Sequence, residues 1–172
     1  MLFRSLPGSR KGEVRRLLPV FGETVRRLVA ERPTLRVVVP VAPSVADEVK
    51  AAVASWPGGS IVVETIAEKH HAFGAATAAL AASGTVNLEL SVAGLPFAIA
   101  YKVSRLSYIV GRLMVKVPSI VMTNILLKRN VVAEFLQDRC RPELIAAEIG
   151  RLLDDPKARQ EVRAAGDRKS TR

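Results

Sequence analysis

The sequence predicts an α/β domain built on an open parallel sheet of about six strands with helices on both faces. Three observations carry that expectation. Short β-branched or apolar runs alternate with longer segments of helical periodicity along the chain. Two of the runs, Leu35–Val39 and Ile61–Ile66, are apolar on both faces, as strands of a covered parallel sheet are. Hydrophobic residues make up 49% of the 172 residues and aromatics only 5%, an Ala- and Val-rich mixture that suits close packing of helix on sheet. That length fits one domain, expected over residues 1–166, with residues 167–172 a frayed tail.

Each element follows in order. Leu2–Leu6 reads as a strand and Pro7-Gly8-Ser9-Arg10 as the loop after it. From Glu13 to Arg32, the residues Val14, Leu17, Leu18, Phe21, Val25, Leu28 and Val29 recur at three- and four-residue spacing, which predicts an amphipathic helix. Pro19 inside it removes a hydrogen bond and predicts a kink or a late start. Leu35–Val39 is a strand, Ser44–Trp56 a helix, Pro57-Gly58-Gly59 a turn and Ile61–Ile66 a strand. A short helix over Glu68–Gly74, a strand over Thr77–Ala82, a helix ending near Gly94 and a strand over Phe97–Tyr101 come next. Ser104–Val117 suits a helix, with Arg105, Arg112 and Lys116 on one side: either a solvated face or a basic surface for anionic membrane. Pro118–Met122 resembles the last strand, ended by Thr123-Asn124. Val131–Gln137 follows, then helices over Pro142–Leu153 and Pro156–Ala165.

Strand and helix in this alternation imply right-handed crossovers and ligands outside the carboxyl ends of the strands. The loop Pro7–Arg10 and the stretch Ala81–Glu89 both follow strands and so fall at that edge. Read as strand, tight turn and helix, Ala82-Ser83-Gly84-Thr85 is a phosphate cradle: Gly84 permits close approach to the backbone, and the next helix begins with free N–H groups. Glu89 lies where a carboxylate could accept hydrogen bonds from ribose hydroxyls. The bland alternative is an N-cap with a flexible turn.

Composition narrows the partners. With 26 Lys and Arg against 16 Asp and Glu, the net charge of +10 favours anionic partners: nucleic acid, anionic membrane or phosphorylated small molecules. Nucleic acid is disfavoured, because the basic residues are dispersed without the aromatics of a stacking platform. One cysteine, Cys140, leaves no internal disulfide and no Cys cluster for zinc, which fits a reducing cytoplasm. No signal peptide is expected, no metal or other cofactor is called for, and the charge-free span from His70 to Leu88 is too rich in Ala, Gly, Ser and Thr to read as transmembrane.

Four landmarks now stand in order: Leu6-Pro7-Gly8-Ser9-Arg10; Ala82-Ser83-Gly84-Thr85 with Leu88-Glu89; Pro96 to Tyr101-Lys102; and Asn124 followed by Glu134-Phe135-Leu136-Gln137. Together they resemble the carboxyl-terminal half of lipid-A-disaccharide synthase, an inverting glycosyltransferase made of two Rossmann-like halves (the GT-B arrangement). The resemblance implies a donor-binding half of the enzyme that joins UDP-2,3-diacylglucosamine to 2,3-diacylglucosamine 1-phosphate. It implies that Ser83, Gly84 and Thr85 meet the diphosphate and Glu89 the ribose. Ser9 and Arg10 would reach the donor phosphates, Arg10 stabilising the leaving UDP, while Asn124, Glu134 and Gln137 would close the sugar side. Asn124 reads alternatively as a turn cap and Glu134 as the start of a helix.

The resemblance further implies an amino-terminal half outside this chain carrying the acceptor site and base, and no catalytic base within it. A cytoplasmic protein peripheral to the inner membrane of a Gram-negative bacterium is expected, and a homodimer through exchanged carboxyl-terminal segments is open to it. This chain departs from the family where Met122-Thr123 precede Asn124 and Ala133 precedes Glu134, in place of Leu-Pro and Pro. Two rivals remain: half of another UDP-sugar enzyme, of the UDP-N-acetylglucosamine 2-epimerase or peptidoglycan glycosyltransferase type, and a non-catalytic basic binding module.

Overall fold

The computed structural model describes residues 1–64, 76–103, 119, 124–125 and 130–167. Six strands form one parallel sheet in the order β3-β2-β1-β4-β5-β6: β1 Leu2–Leu6, β2 Arg36–Pro40, β3 Ile61–Val63, β4 Ala78–Ala82, β5 Phe97–Tyr101 and β6 Glu134–Leu136. The helices are α1 Lys11–Glu31, α2 Ala46–Val53, α3 Val86–Val92, α4 Pro142–Asp154 and α5 Pro156–Asp167. Strands β1 and β4 are neighbours in register, Arg4 beside Ala79 and Leu6 beside Ala81. From this pair the chain moves outward in opposite directions. With right-handed crossovers, that reversal puts α1 and α2 on one face and α3 on the other.

The core explains why these segments adopt these elements. Helix α1 buries Val14, Leu17, Leu18, Phe21, Val25 and Leu28, the stripe its periodicity predicts. Alongside it lies α4, whose Ile145, Ile149, Leu152 and Leu153 are buried and which also meets β4 and β5. Every residue of β4 is buried, and four of its five are alanine, so helices on either side can approach closely. The two long helices are also tied at their carboxyl ends, where Arg32 donates hydrogen bonds to both Asp154 carboxylate oxygens.

Several expectations are corrected. Helix α1 starts at Lys11, well ahead of Pro19, so the late start does not occur. The segment Ser44–Trp56 is a 3₁₀ turn at Pro43–Val45 followed by α2, which stops at Val53. Pro57 disfavours helical geometry at Trp56, and a turn closes instead through Trp56 N–H to Val53 C=O at 2.9 Å. The run at Ile61 is not covered on both faces, because β3 is the sheet edge, and Ile61 is 55% exposed. Glu134 opens a strand rather than a helix: β6 pairs with β5 through Ile99 and Glu134.

The helices expected at 68–74 and 104–117 lie outside the described residues, as do His70, His71 and residues 168–172. So does the strand expected at 118–122, apart from Ser119, which is in no strand.

Candidate functional site

Neighbouring strands whose connections leave in opposite directions open a crevice at their carboxyl ends, and β1 and β4 form that pair. A cleft of about 520 Å³ lies there. Gly8, Ser9 and Arg10 line it from the loop after β1, Glu13 from the first turn of α1, and Pro40, Val41 and Ala42 from the end of β2. Ser83, Gly84, Thr85, Val86 and Glu89 line it from the turn after β4 and from α3, while Arg4 and Leu6 form its floor. All the residues expected to meet nucleotide, namely Ser9, Arg10, Ser83, Gly84, Thr85 and Glu89, are therefore brought together around one space.

Local geometry shapes the two loops. Gly8 has φ +106° and Gly84 φ +145°, values that side chains strain to adopt. A Cβ built on Gly84 would meet nothing within 4 Å, so the backbone there faces open space. Ser44 Oγ donates to the Ser9 carbonyl at 3.0 Å and ties the first loop to the 3₁₀ turn after β2. Arg10 is the N-cap of α1, its carbonyl accepting from Glu13 N–H and Val14 N–H at 3.0 Å.

The N-cap reading of the second turn is not what the structure shows, since Thr85 makes no side-chain capping hydrogen bond. Helix α3 has only seven residues, so its dipole is weak, and the turn's hydroxyls and backbone carry the polar character of that wall.

Electrostatically the cleft is mixed. Arg4 is buried on β1, and desolvation lowers its guanidinium pKa to about 10, with the nearby Glu89 charge pulling the other way. Burial raises the Glu13 carboxyl above the usual range, opposed by the charge of Arg10. Neither residue belongs to a motif that the sequence announces. A lone charge inside the apolar strand Leu2–Leu6 was the visible signal for Arg4; Glu13 gave none beyond a helix start.

Asn124, Glu134 and Gln137 are not brought to this cleft. They lie at the β6 edge, where Asn124 and Glu134 are hydrogen-bonded to each other and Gln137 pairs with main chain. Asn124 is buried, donates from Nδ2 to the Val132 carbonyl and to Glu134 Oε1 at 2.8 Å, and accepts at Oδ1 from Val131 N–H and Val132 N–H at 2.9 Å. Ser119 Oγ also donates to Glu134 Oε1. Gln137, at φ 49°, pairs with the backbone of Val103: Oε1 accepts from Val103 N–H at 3.2 Å and Nε2 donates to its carbonyl at 3.4 Å. Asn124 is thus neither a turn cap nor an open ligand; it holds the strand entry at 131–132. No helix among the described residues is long and apolar enough to cross a membrane.

Comparison with known proteins gives a consistent result. The family model described as lipid-A-disaccharide synthetase matches residues 2–171. The lipid-A-disaccharide synthase of Granulibacter bethesdensis is 46% identical over 150 residues, covering 87% of this chain and 38% of that protein. The one from Rhodospirillum centenum is 48% identical over 156 residues, covering 91% and 39%. The chain therefore spans about two fifths of the length of these relatives. Among solved structures, the calicheamicin glycosyltransferase CalG4 superposes with TM-score 0.61 at 18% identity, covering 96% of this chain and 36% of that one. The S. aureus MnaA structure with UDP superposes with TM-score 0.59 at 15% identity, covering 97% and 43%. At such identities the likeness concerns the fold, half of a GT-B arrangement.

Proposed function

The chain belongs to the lipid-A-disaccharide synthetase family, and from that premise we propose that it is the donor-binding half of a glycosyltransferase. The reaction is transfer of 2,3-diacylglucosamine from UDP to 2,3-diacylglucosamine 1-phosphate, yielding the lipid A disaccharide and UDP. The observation that carries this reading is the cleft at the β1/β4 reversal, where two glycine loops, three hydroxyls and two arginines line one space. Ser83, Gly84 and Thr85 receive the diphosphate, Ser9 and Arg10 cover it from the opposite loop, and Glu89 accepts from the ribose.

As the glycosidic bond to UDP breaks, negative charge grows on the departing diphosphate. The Arg10 guanidinium, exposed at the cleft rim, stabilises it through paired N–H donors. The acceptor and the base that deprotonates its hydroxyl belong to the amino-terminal half of the family's architecture. Asn124, Glu134 and Gln137 contribute on the sugar side by fixing the β6 edge, because their amide and carboxylate groups are engaged by one another and by main chain. The basic surface suits work at an anionic inner-membrane face, with self-association through carboxyl-terminal segments.

Titrating UDP into the labelled protein while following amide shifts tests the reading. Shifts should concentrate on Gly8–Arg10 and Ser83–Glu89. No shift there at millimolar UDP would remove the nucleotide from this cleft.

A further inference from the structure

A carboxylate inside an anion-binding cleft calls for an explanation, and Glu13 is such a group. It projects from the first turn of α1, yet its side chain folds back onto the loop after β1. Its Oε2 and Cδ atoms lie 2.6 and 3.0 Å from the point where a Cβ on Gly8 would stand, and the Ala82 methyl lies 3.4 Å from that same point. The carboxyl therefore sits where the loops after β1 and β4 meet, among the residues that line the cleft.

We propose that Glu13 is a proton-carrying contact of this cleft, taking up a proton as a diphosphate binds and meeting the ligand as a neutral carboxyl. The inference rests on the donor-cleft reading above. Among the described residues that line the cleft with Glu13, the charged groups are Arg10 from the loop before α1, Arg4 from β1 and Glu89 from α3, while Pro40–Ala42 at the end of β2 bring none. Burial already disfavours its charge, and Arg10 offsets this. A diphosphate adds further negative charge and competes for Arg10, so both changes push the carboxyl toward protonation. A neutral carboxyl gains a donor O–H, which a phosphate oxygen can accept. By linkage, a site that gains one proton on binding loses up to tenfold in affinity per pH unit where the free group is ionised and the bound group is not.

The test is calorimetric titration of UDP at pH 8 in two buffers of different ionisation enthalpy, comparing wild type with Glu13→Gln. Protons exchanged by the ligand itself cancel in that comparison. Wild type should take up a measurably larger fraction of a proton, and Glu13→Gln should bind at least as tightly with a flatter pH profile. Glu13→Asp, which keeps the charge but withdraws it from Gly8, should fall between. Equal proton counts, or weaker binding by Glu13→Gln at every pH with an unchanged profile, would overturn the inference while leaving the donor cleft standing. Failure of UDP and inorganic pyrophosphate alike to bind wild type would remove both.

Discussion

Two glycines flank α3, and substituting each by alanine separates backbone strain from ligand access. Gly84 precedes the helix with φ +145°, Gly94 follows it with φ +61°, and an added Cβ meets nothing within 4 Å at either. Neither substitution creates a clash with the protein's own atoms, so stability changes through backbone geometry alone. An alanine at a left-handed position costs about 1–2 kcal/mol, partly offset by about 0.4–1 kcal/mol from a less flexible unfolded chain. Gly94→Ala should therefore lose about 1 kcal/mol. At Gly84 the conformation is closer to a glycine-only region, and about 2 kcal/mol is expected.

Affinity should part the two variants more sharply. The open space above Gly84 is cleft, and a methyl there would take room from the diphosphate proposed to bind; Gly94 lies outside the cleft lining. Gly84→Ala should weaken UDP binding at least tenfold, about 1.4 kcal/mol, whereas Gly94→Ala should leave it within twofold. Urea denaturation gives the first quantity and calorimetry the second. Equal UDP affinity in the two variants would refute the claim that the diphosphate approaches the Gly84 backbone.

Removing the Glu89 carboxylate, exposed on α3, should weaken UDP binding by about 1–3 kcal/mol with little change in melting temperature; parallel loss of both would mark a structural role. Arg10→Lys keeps the charge but loses the planar fork, so UDP should bind more weakly than to wild type, and unchanged affinity would take Arg10 out of the site. Gly22→Ala places a Cβ 2.7 Å from Trp56 Nε1, while Gly12→Ala in the same helix meets only the Arg16 guanidinium at 3.5 Å. Denaturation should find the first less stable than the second by about 1–3 kcal/mol, the overpacking cost freed of helix propensity. Asp154 is held below the ordinary carboxylate range chiefly by its hydrogen bond from Arg32. Asp154→Asn should cost at most about 1 kcal/mol at neutral pH, since the carboxylate is half exposed. That difference should be complete above about pH 4, the unfolded carboxyl's range, and decline below it, vanishing only once the native carboxyl is itself protonated, because the depressed native pKa keeps the folded group ionised after the unfolded one has gained its proton.

Elements buried on both faces were legible because burial and sequence pattern coincide there. Leu2–Leu6 and Phe97–Tyr101 are strands residue for residue, and Ala78–Ala82 falls within the expected run. The two glycine loops of the cleft were legible for a different reason. A glycine after a strand marks a turn by its own conformational freedom, and both Gly8 and Gly84 adopt positive φ. Where position in the sheet decides burial, pattern alone misleads: Ile61 has the composition of an interior strand yet lies on the edge.

The remaining site features depend on contacts between segments distant in sequence. Glu134–Leu136 has only three residues and no periodicity to read; it is a strand because β5 supplies its partner and Asn124 holds the chain entering it. Gln137 owes its place to Val103, far upstream, and no local spacing announces that pair. Arg4 and Glu13 show the same dependence inside the cleft. A charge in a strand gains electrostatic meaning only once α3 brings Glu89 near it. A glutamate in a helix's first turn reads as a favourable dipole partner. It becomes a cleft group because the positive φ of Gly8 turns the preceding loop beneath its carboxyl, leaving no room for a side chain there.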